Sequence, residues 1–306
     1  MAVTAPTRWR TGTASVRGAA HRRNGMPNQD AVRATRCPDH TPLILALADG
    51  HGSARCFRSH CGARLAVGVA HLARSQLHEP VGLSQVKRWA EEQLPRELVR
   101  QWRRRVERHL AREPFTANEL APLDAAGRRA LAANPFLAYG TTLLMVIAAP
   151  AFILYLQLGD GDILTVAANG GIERPIAKDP RLIANETTSL CSPQAWEEMR
   201  VTFQALAGTP PGLILAATDG YANSFRDEAG FQQVARDLWE MIRSGGWDDI
   251  EEQLPDWLQE ATEQGSGDDI TVGLLAERTD PRRPDAAPRL ERDAEPNERA
   301  TPTETA

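Results

Sequence analysis

Apolar residues gather into six short runs, at 43–48, 142–148, 152–158, 163–168, 213–217 and 270–275, most of them bounded by glycine, proline or aspartate. Runs of that length with such borders predict buried strands. Between them apolar positions recur every three or four residues. That period predicts helices over 56–76, 83–94, 96–112, 124–133, 193–200, 228–243 and 247–263. The strands come in clusters with short connections, and the helices lie between clusters. Antiparallel sheets covered by helices fit this order better than a doubly wound parallel sheet.

Residues 1–12 read as a flexible arm. Residues 277–306 are rich in proline, arginine and acids and poor in large apolar side chains, which predicts a disordered tail. A single domain over 13–276 remains. The apolar stretch 143–158 is shorter than the roughly 20 residues a membrane span needs, and Pro150 divides it, so it reads as two strands and a turn. The N-terminus carries no signal-peptide pattern. A cytoplasmic protein with no membrane partner is expected.

Composition narrows the picture only a little. The 306 residues are 42% hydrophobic and 25% charged, and a net charge of -5 gives no reason to expect nucleic acid as the main partner. Cys56, His60 and Cys61 suggest zinc but lack a fourth ligand at a suitable spacing, so packed thiols are the simpler reading. The segment 96–112 is dense in arginine, yet Leu98, Trp102, Val106 and Leu110 recur at helical spacing. An amphipathic helix with a solvated basic face accounts for it; a nucleic-acid surface is the competing reading.

The chemistry is concentrated where apolar runs meet carboxylates. Asp49-Gly50-His51-Gly52, Gly159-Asp160, Asp219-Gly220 and Asp268-Asp269 each adjoin a predicted strand. Each one alone is explained by a turn, since Asp-Gly is a common exit from a strand. Four together suggest carboxylates converging on cations, because such groups repel one another without them. All-oxygen ligands suit magnesium or manganese rather than zinc.

In order along the chain stand Asn28-Gln29-Asp30, Asp49-Gly50-His51-Gly52, Gly140-Thr141-Thr142-Leu143, Leu158-Gly159-Asp160, Thr218-Asp219-Gly220 and Asp268-Asp269-Ile270-Thr271. Over about 15–276 this series resembles the metal-dependent type 2C protein phosphatase family. The resemblance implies an α+β, four-layer α/β/β/α sandwich with two central antiparallel sheets and a dinuclear metal cleft at one end. It implies Mn2+ or Mg2+, two ions and in some relatives a third. Asp49 would bridge the ions with help from the Gly50 carbonyl, Asp219 and Asp268 would complete one shell, and Asp30 would hold bound water. Asp160 with Asp219 would take the third ion. A metal-activated water would attack phosphoserine or phosphothreonine on proteins, with His51 as general acid.

The sequence departs from the family pattern in two places. No arginine stands at the usual phosphate-gripping position before Asp30, where Gly25 is found, so Arg22 or Arg23 is expected to serve. Gln29 replaces the usual glutamate. A pseudophosphatase used as a binding module and a small-phosphoester hydrolase are the alternatives. Phosphorylated proteins are the implied partners, and an opposing serine/threonine kinase is implied only through the family. The section 178–208 matches the family's flap by position.

Overall fold

The computed structural model describes residues 9–35, 42–77, 82–181 and 187–277. Two five-stranded sheets form its centre. One runs in the order β1 (Trp9–Val16), β10 (Ile270–Glu277), β9 (Leu213–Ala217), β6 (Asp162–Val166), β7 (Ile172–Glu173). The other runs β2 (Ala31–Thr35), β3 (Leu43–Ala48), β4 (Leu143–Ala148), β5 (Phe152–Leu158), β8 (Arg200–Ala205). All eight pairings are antiparallel.

The central strands are apolar on both faces because both faces are covered. Successive strand side chains point to opposite sides. Leu43, Leu45 and Leu47 therefore face the other sheet, with Leu144, Val146, Ile214, Ala216 and Leu275 in one inter-sheet cluster. Ile44, Ala46 and Ala48 turn outward to a second cluster. There they meet α2 (Ser59–Ala70), α3 (Leu83–Glu92) and α4 (Leu94–Arg112). The outer face of the first sheet packs on α9 (Glu228–Arg243) and α10 (Trp247–Gln264) through Phe231, Leu238, Trp239, Ile250 and Leu258. Four layers result. Each fully buried Leu or Ile contributes about 1.5–3 kcal/mol, and Leu45→Ala would cost about 2–5 kcal/mol by leaving a cavity between the sheets. The short helices α1 (Ala19–Arg23), α5 (Ala117–Leu120), α6 (Ala125–Ala133), α7 (Ala195–Glu198) and α8 (Asp219–Ala222) fill the connections.

Some expectations need correction. The arm expected over 1–12 gives way at Trp9, where β1 begins; Trp9 is buried between the sheets and pairs with Glu277. Glu277 likewise belongs to β10 and not to the tail. Residues 1–8 and 278–306 lie outside the described residues. The helix expected over 56–76 is a 3-10 turn, α2, and a second 3-10 turn. The break falls at Arg58, whose N–H donates to Ala138 O at 2.8 Å and whose guanidinium grips Glu119 at 2.6 Å. The helix expected over 193–200 shrinks to α7, and Arg200 opens edge strand β8, which pairs with β5. Among the described residues, no helix is long and apolar enough to cross a membrane.

The register decides where the chemistry sits. Ala48 ends β3 opposite Ala31 at the start of β2, and Leu158 ends β5 opposite Leu143 at the start of β4. Val16 ends β1 opposite Ile270 at the start of β10, while Ala217 ends β9 opposite Asp162. Antiparallel pairing thus brings all these strand ends to one pole.

Candidate functional site

At that pole Asp49 follows β3, Asp30 precedes β2, Asp160 follows β5, Asp219 follows β9, and Asp268 and Asp269 precede β10. Asp49 and Asp219 lie side by side, their carboxyls within hydrogen-bonding reach of each other. Burial holds Asp49 well above the ordinary carboxylate range, and the charges of Asp30 and Asp219 add to it. Asp30 is raised strongly by burial and then by Asp269, against the hydroxyls of Thr218 and Thr271, which favour its ionised form. Thr218 Oγ1 donates to Asp30 Oδ2 at 2.8 Å. Asp219 is raised by burial and by Asp160 and Asp268. Desolvation raises Asp268 as well, although its side chain is 52% exposed.

Backbone bonds fix the loop after β3. Asp49 O accepts from Thr142 N at 2.8 Å and from Thr141 Oγ1 at 2.7 Å, while Thr142 Oγ1 accepts from Asp49 N at 3.0 Å. Gly50 forms a bridge with Thr141, and His51 N donates to Gly140 O at 3.1 Å. Burial lowers the His51 imidazole below its ordinary value, and the Asp160 carboxylate partly restores it. Gly159 turns the chain at φ 103°, a conformation that suits glycine, and presents Asp160 to Thr187, whose Oγ1 donates to Oδ1 at 2.9 Å.

Two residues at the centre of this network were not among those expected. Asp269 is buried, and it accepts Gly18 N and Gln29 N at 2.6 Å each. His21, on α1, lies with Nδ1 2.9 Å from Asp269 Oδ2 and Nε2 3.8 Å from Asp268 Oδ1. The doubled aspartate at 268–269 was the sequence signal for Asp269. The two expected phosphate-gripping arginines do not share this position. Arg22 is paired with Glu263 of α10 at 2.8 Å, and Arg23 is exposed. The sulfur atoms of Cys56 and Cys61 enter no metal-like cluster; among the described residues, the one such group is His21, Asp268 and Asp269.

The donor set suits a hard divalent cation. The groups are oxygen-only apart from His21, and carboxylates pressed together at this burial are raised by one another, a cost that cations relieve. Gln29 donates to Ser59 Oγ at 2.8 Å, while its buried Oε1 has no protein partner and is left free to accept. A groove of about 700 Å³ lies between β7 and β8 near Thr165, Thr202 and Pro211, at the other end of these strands, and Glu173 is its one charged lining residue. The carboxylate pole therefore outweighs it as a reaction site.

The family model described as "Protein phosphatase 2C" matches residues 17–259. No curated protein matches the chain by sequence. Among solved structures, the serine/threonine phosphatase Stp1 from Staphylococcus aureus is 13% identical, with a TM-score of 0.55 over 91% of this chain and 99% of that one. The Mycobacterium tuberculosis serine/threonine phosphatase PstP/Ppp is 16% identical, with a TM-score of 0.53 over 89% and 99%. PppA of Pseudomonas aeruginosa is 18% identical, with a TM-score of 0.51 over 89% and 99%.

Proposed function

The chain belongs to the protein phosphatase 2C family and is a protein phosphatase by that membership; from this premise we propose that it hydrolyses phosphoserine and phosphothreonine on proteins at the carboxylate pole. The observation that carries the reading is the mutual crowding of Asp30, Asp49, Asp219 and Asp268 at one sheet end. Asp49, the Gly50 carbonyl, Asp219 and Asp268 would hold two Mn2+ or Mg2+ ions, with Asp30 beside them and Asp160 with Asp219 at a third. Bound there, divalent ions supply a hydroxide near neutral pH and offset charge on the phosphoryl oxygens.

The chain's own groups do the rest. The hydroxyls of Thr218 and Thr271 oppose the rise that burial and Asp269 impose on Asp30, and Thr218 orients its carboxyl by donating to Oδ2. His51, anchored through its backbone to Gly140, donates the proton that the departing serine or threonine oxygen needs. Arg22 is engaged by Glu263, so Arg23, which makes no ion pair among the described residues, is the one of the two left to reach the phosphate. The reading makes phosphorylated proteins the substrates and a serine/threonine kinase the opposing enzyme in the cytoplasm.

The test is phosphate release from phosphoserine and phosphothreonine peptides with manganese or with a chelator, for the wild type and Asp219→Asn. The wild type should turn over only with metal, and Asp219→Asn should stay folded and lose roughly 100-fold or more. Wild-type turnover in chelator, or an Asp219→Asn variant at full rate, would end the proposal. Inactivity on every ester would favour a binding module, and activity confined to small esters a non-protein substrate.

A further inference from the structure

The basic face of α4 is not bare surface. Leu94, Leu98, Trp102 and Val106 turn inward, and Trp102 Nε1 donates to Gly62 O at 3.0 Å. Beside them Arg96, Arg100, Arg103, Arg104, Glu107 and Trp196 of α7 line a groove of about 370 Å³, with the buried Val99 also in its lining. That volume is near the lower limit of ordinary ligand pockets. Four guanidinium groups converge on it in a chain whose net charge is -5, so the patch is a local construction and not a reflection of bulk charge.

Two of the four arginines are free of ion pairs among the described residues. Arg100 pairs with Glu97, but Arg96 and Arg104 are exposed and make no ion pair among the described residues. Arg96 stacks over the Trp196 ring at 5.6 Å. Arg103 lies over Phe136 at 5.4 Å and donates to Ser192 O at 2.7 Å and Pro193 O at 2.9 Å. Two buried donors in this lining, Arg103 Nε and Trp196 Nε1, have no acceptor. The guanidinium groups open to an occupant rich in acceptors and negative charge are those of the exposed Arg96 and Arg104.

The groove also communicates with the carboxylate pole. The carbonyls that Arg103 holds, at 192 and 193, close a segment whose other end is tied to the site. Thr187 donates to Asp160, and Ser189 Oγ accepts from Thr141 N at 3.1 Å. From 187 to 192 the chain spans at most about 17 Å. A polypeptide lying in the groove can therefore reach the pole within a few residues.

We propose that the groove between α4 and α7 docks an acidic segment of the phosphoprotein substrate; the proposal rests on the phosphatase reading for the substrate's identity, but its binding chemistry stands apart from catalysis. A protein segment fits better than nucleic acid. Arg96 already covers one face of Trp196, removing it as a stacking platform, and Glu97 and Glu107 interrupt the positive face.

The experiment uses the full chain and a fluorescein-labelled, unphosphorylated peptide of consecutive glutamates, followed by anisotropy at low and at raised salt. Binding should weaken with salt, and Arg96→Glu/Arg104→Glu should weaken it at least tenfold. Hydrolysis of a small aryl phosphate should be unchanged in that variant. KM for a phosphopeptide carrying the acidic stretch should rise about tenfold at constant kcat. Equal peptide binding by wild type and variant overturns the proposal. So does binding of polyuridylate in place of the acidic peptide, which assigns the groove to nucleic acid. If charge reversal disturbs the circular dichroism spectrum, Arg96→Gln/Arg104→Gln decides by the same readouts. Failure of hydrolysis alone, with peptide binding intact, counts against the phosphatase reading and leaves the docking site standing.

Discussion

His21 Nδ1 and Asp269 Oδ2 lie 2.9 Å apart, joining a five-residue helix after the first strand to the residue that immediately precedes the last. Asp269 also accepts two backbone N–H groups, from Gly18 and Gln29. It thus clasps both ends of the segment that leads from β1 to Asp30. Asp269→Ala would strand those two donors, at about 1–3 kcal/mol for each buried group left unsatisfied. We expect stability in urea to fall by about 2–4 kcal/mol in total and turnover to fall at least tenfold because Asp30 loses its support. Wild-type stability in that variant would remove the clasp.

His51→Ala separates protonation of the leaving group from metal chemistry. Alkyl phosphates, whose leaving oxygen is strongly basic, should lose roughly 10²–10⁴-fold in kcat. Aryl phosphates, whose phenoxide leaves readily, should lose far less. Parallel losses across a series of leaving groups would exclude the general-acid role.

His71 gives a pH dependence remote from the site. Its Nε2 donates to Arg33 O at 3.3 Å, which leaves Nδ1 to accept from the Thr35 hydroxyl at 3.0 Å. Burial, aided by the charge of Arg33, lowers the ring to about 4. The unfolded chain takes up this proton near pH 6.5 and the folded chain only near 4, so stability is lost as pH falls between those values and no further below. The ceiling is about 1.4 kcal/mol per pH unit, reduced by the ring's partial contact with solvent. Urea midpoints at pH 7.5 and 5 should converge in His71→Gln relative to the wild type; an identical acid shift in both would exclude His71 as the source.

Gly220 carries a steric prediction. A Cβ there would overlap the carbonyl oxygen of Asp269, beside the Asp268 side chain. Gly220→Ala should therefore force the ends of β9 and β10 apart, costing about 1–3 kcal/mol and lowering affinity for manganese measured by calorimetry. Unchanged metal affinity would show that the pole tolerates the displacement.

The central strands were legible because both of their faces are apolar, and Asp49, Asp160, Asp219 and Asp268 because each stands beside the end of such a strand, whereas Asp30 was legible only through the family resemblance. The missing parts had physical reasons. The strand β1 reads WRTGTASV and β2 reads AVRAT, whose small and polar residues carry little apolar signal. As an edge strand, β8 is half-exposed along RVTFQA, and its opening residue was absorbed into a predicted helix. Asp269 stands in the Asp268-Asp269 pair but has no role legible there, because its work is on backbone N–H groups brought from 240 and 251 residues away. No local pattern records such partners. His21 is adjacent to Arg22 and Arg23, and nothing local in the sequence tells which of three neighbours on one short helix turns toward the acids.

The pairing of β1 with β10 has a practical corollary. Trp9 and Glu277 sit opposite each other, and the eight paired residues carry them about 25 Å from the reactive pole. A reporter or affinity handle fused through the backbone at this end of the pair, with the buried Trp9 ring left in place, would leave the protein from the side away from that pole. A circular permutant joining them by a short linker would keep every strand end where it now stands.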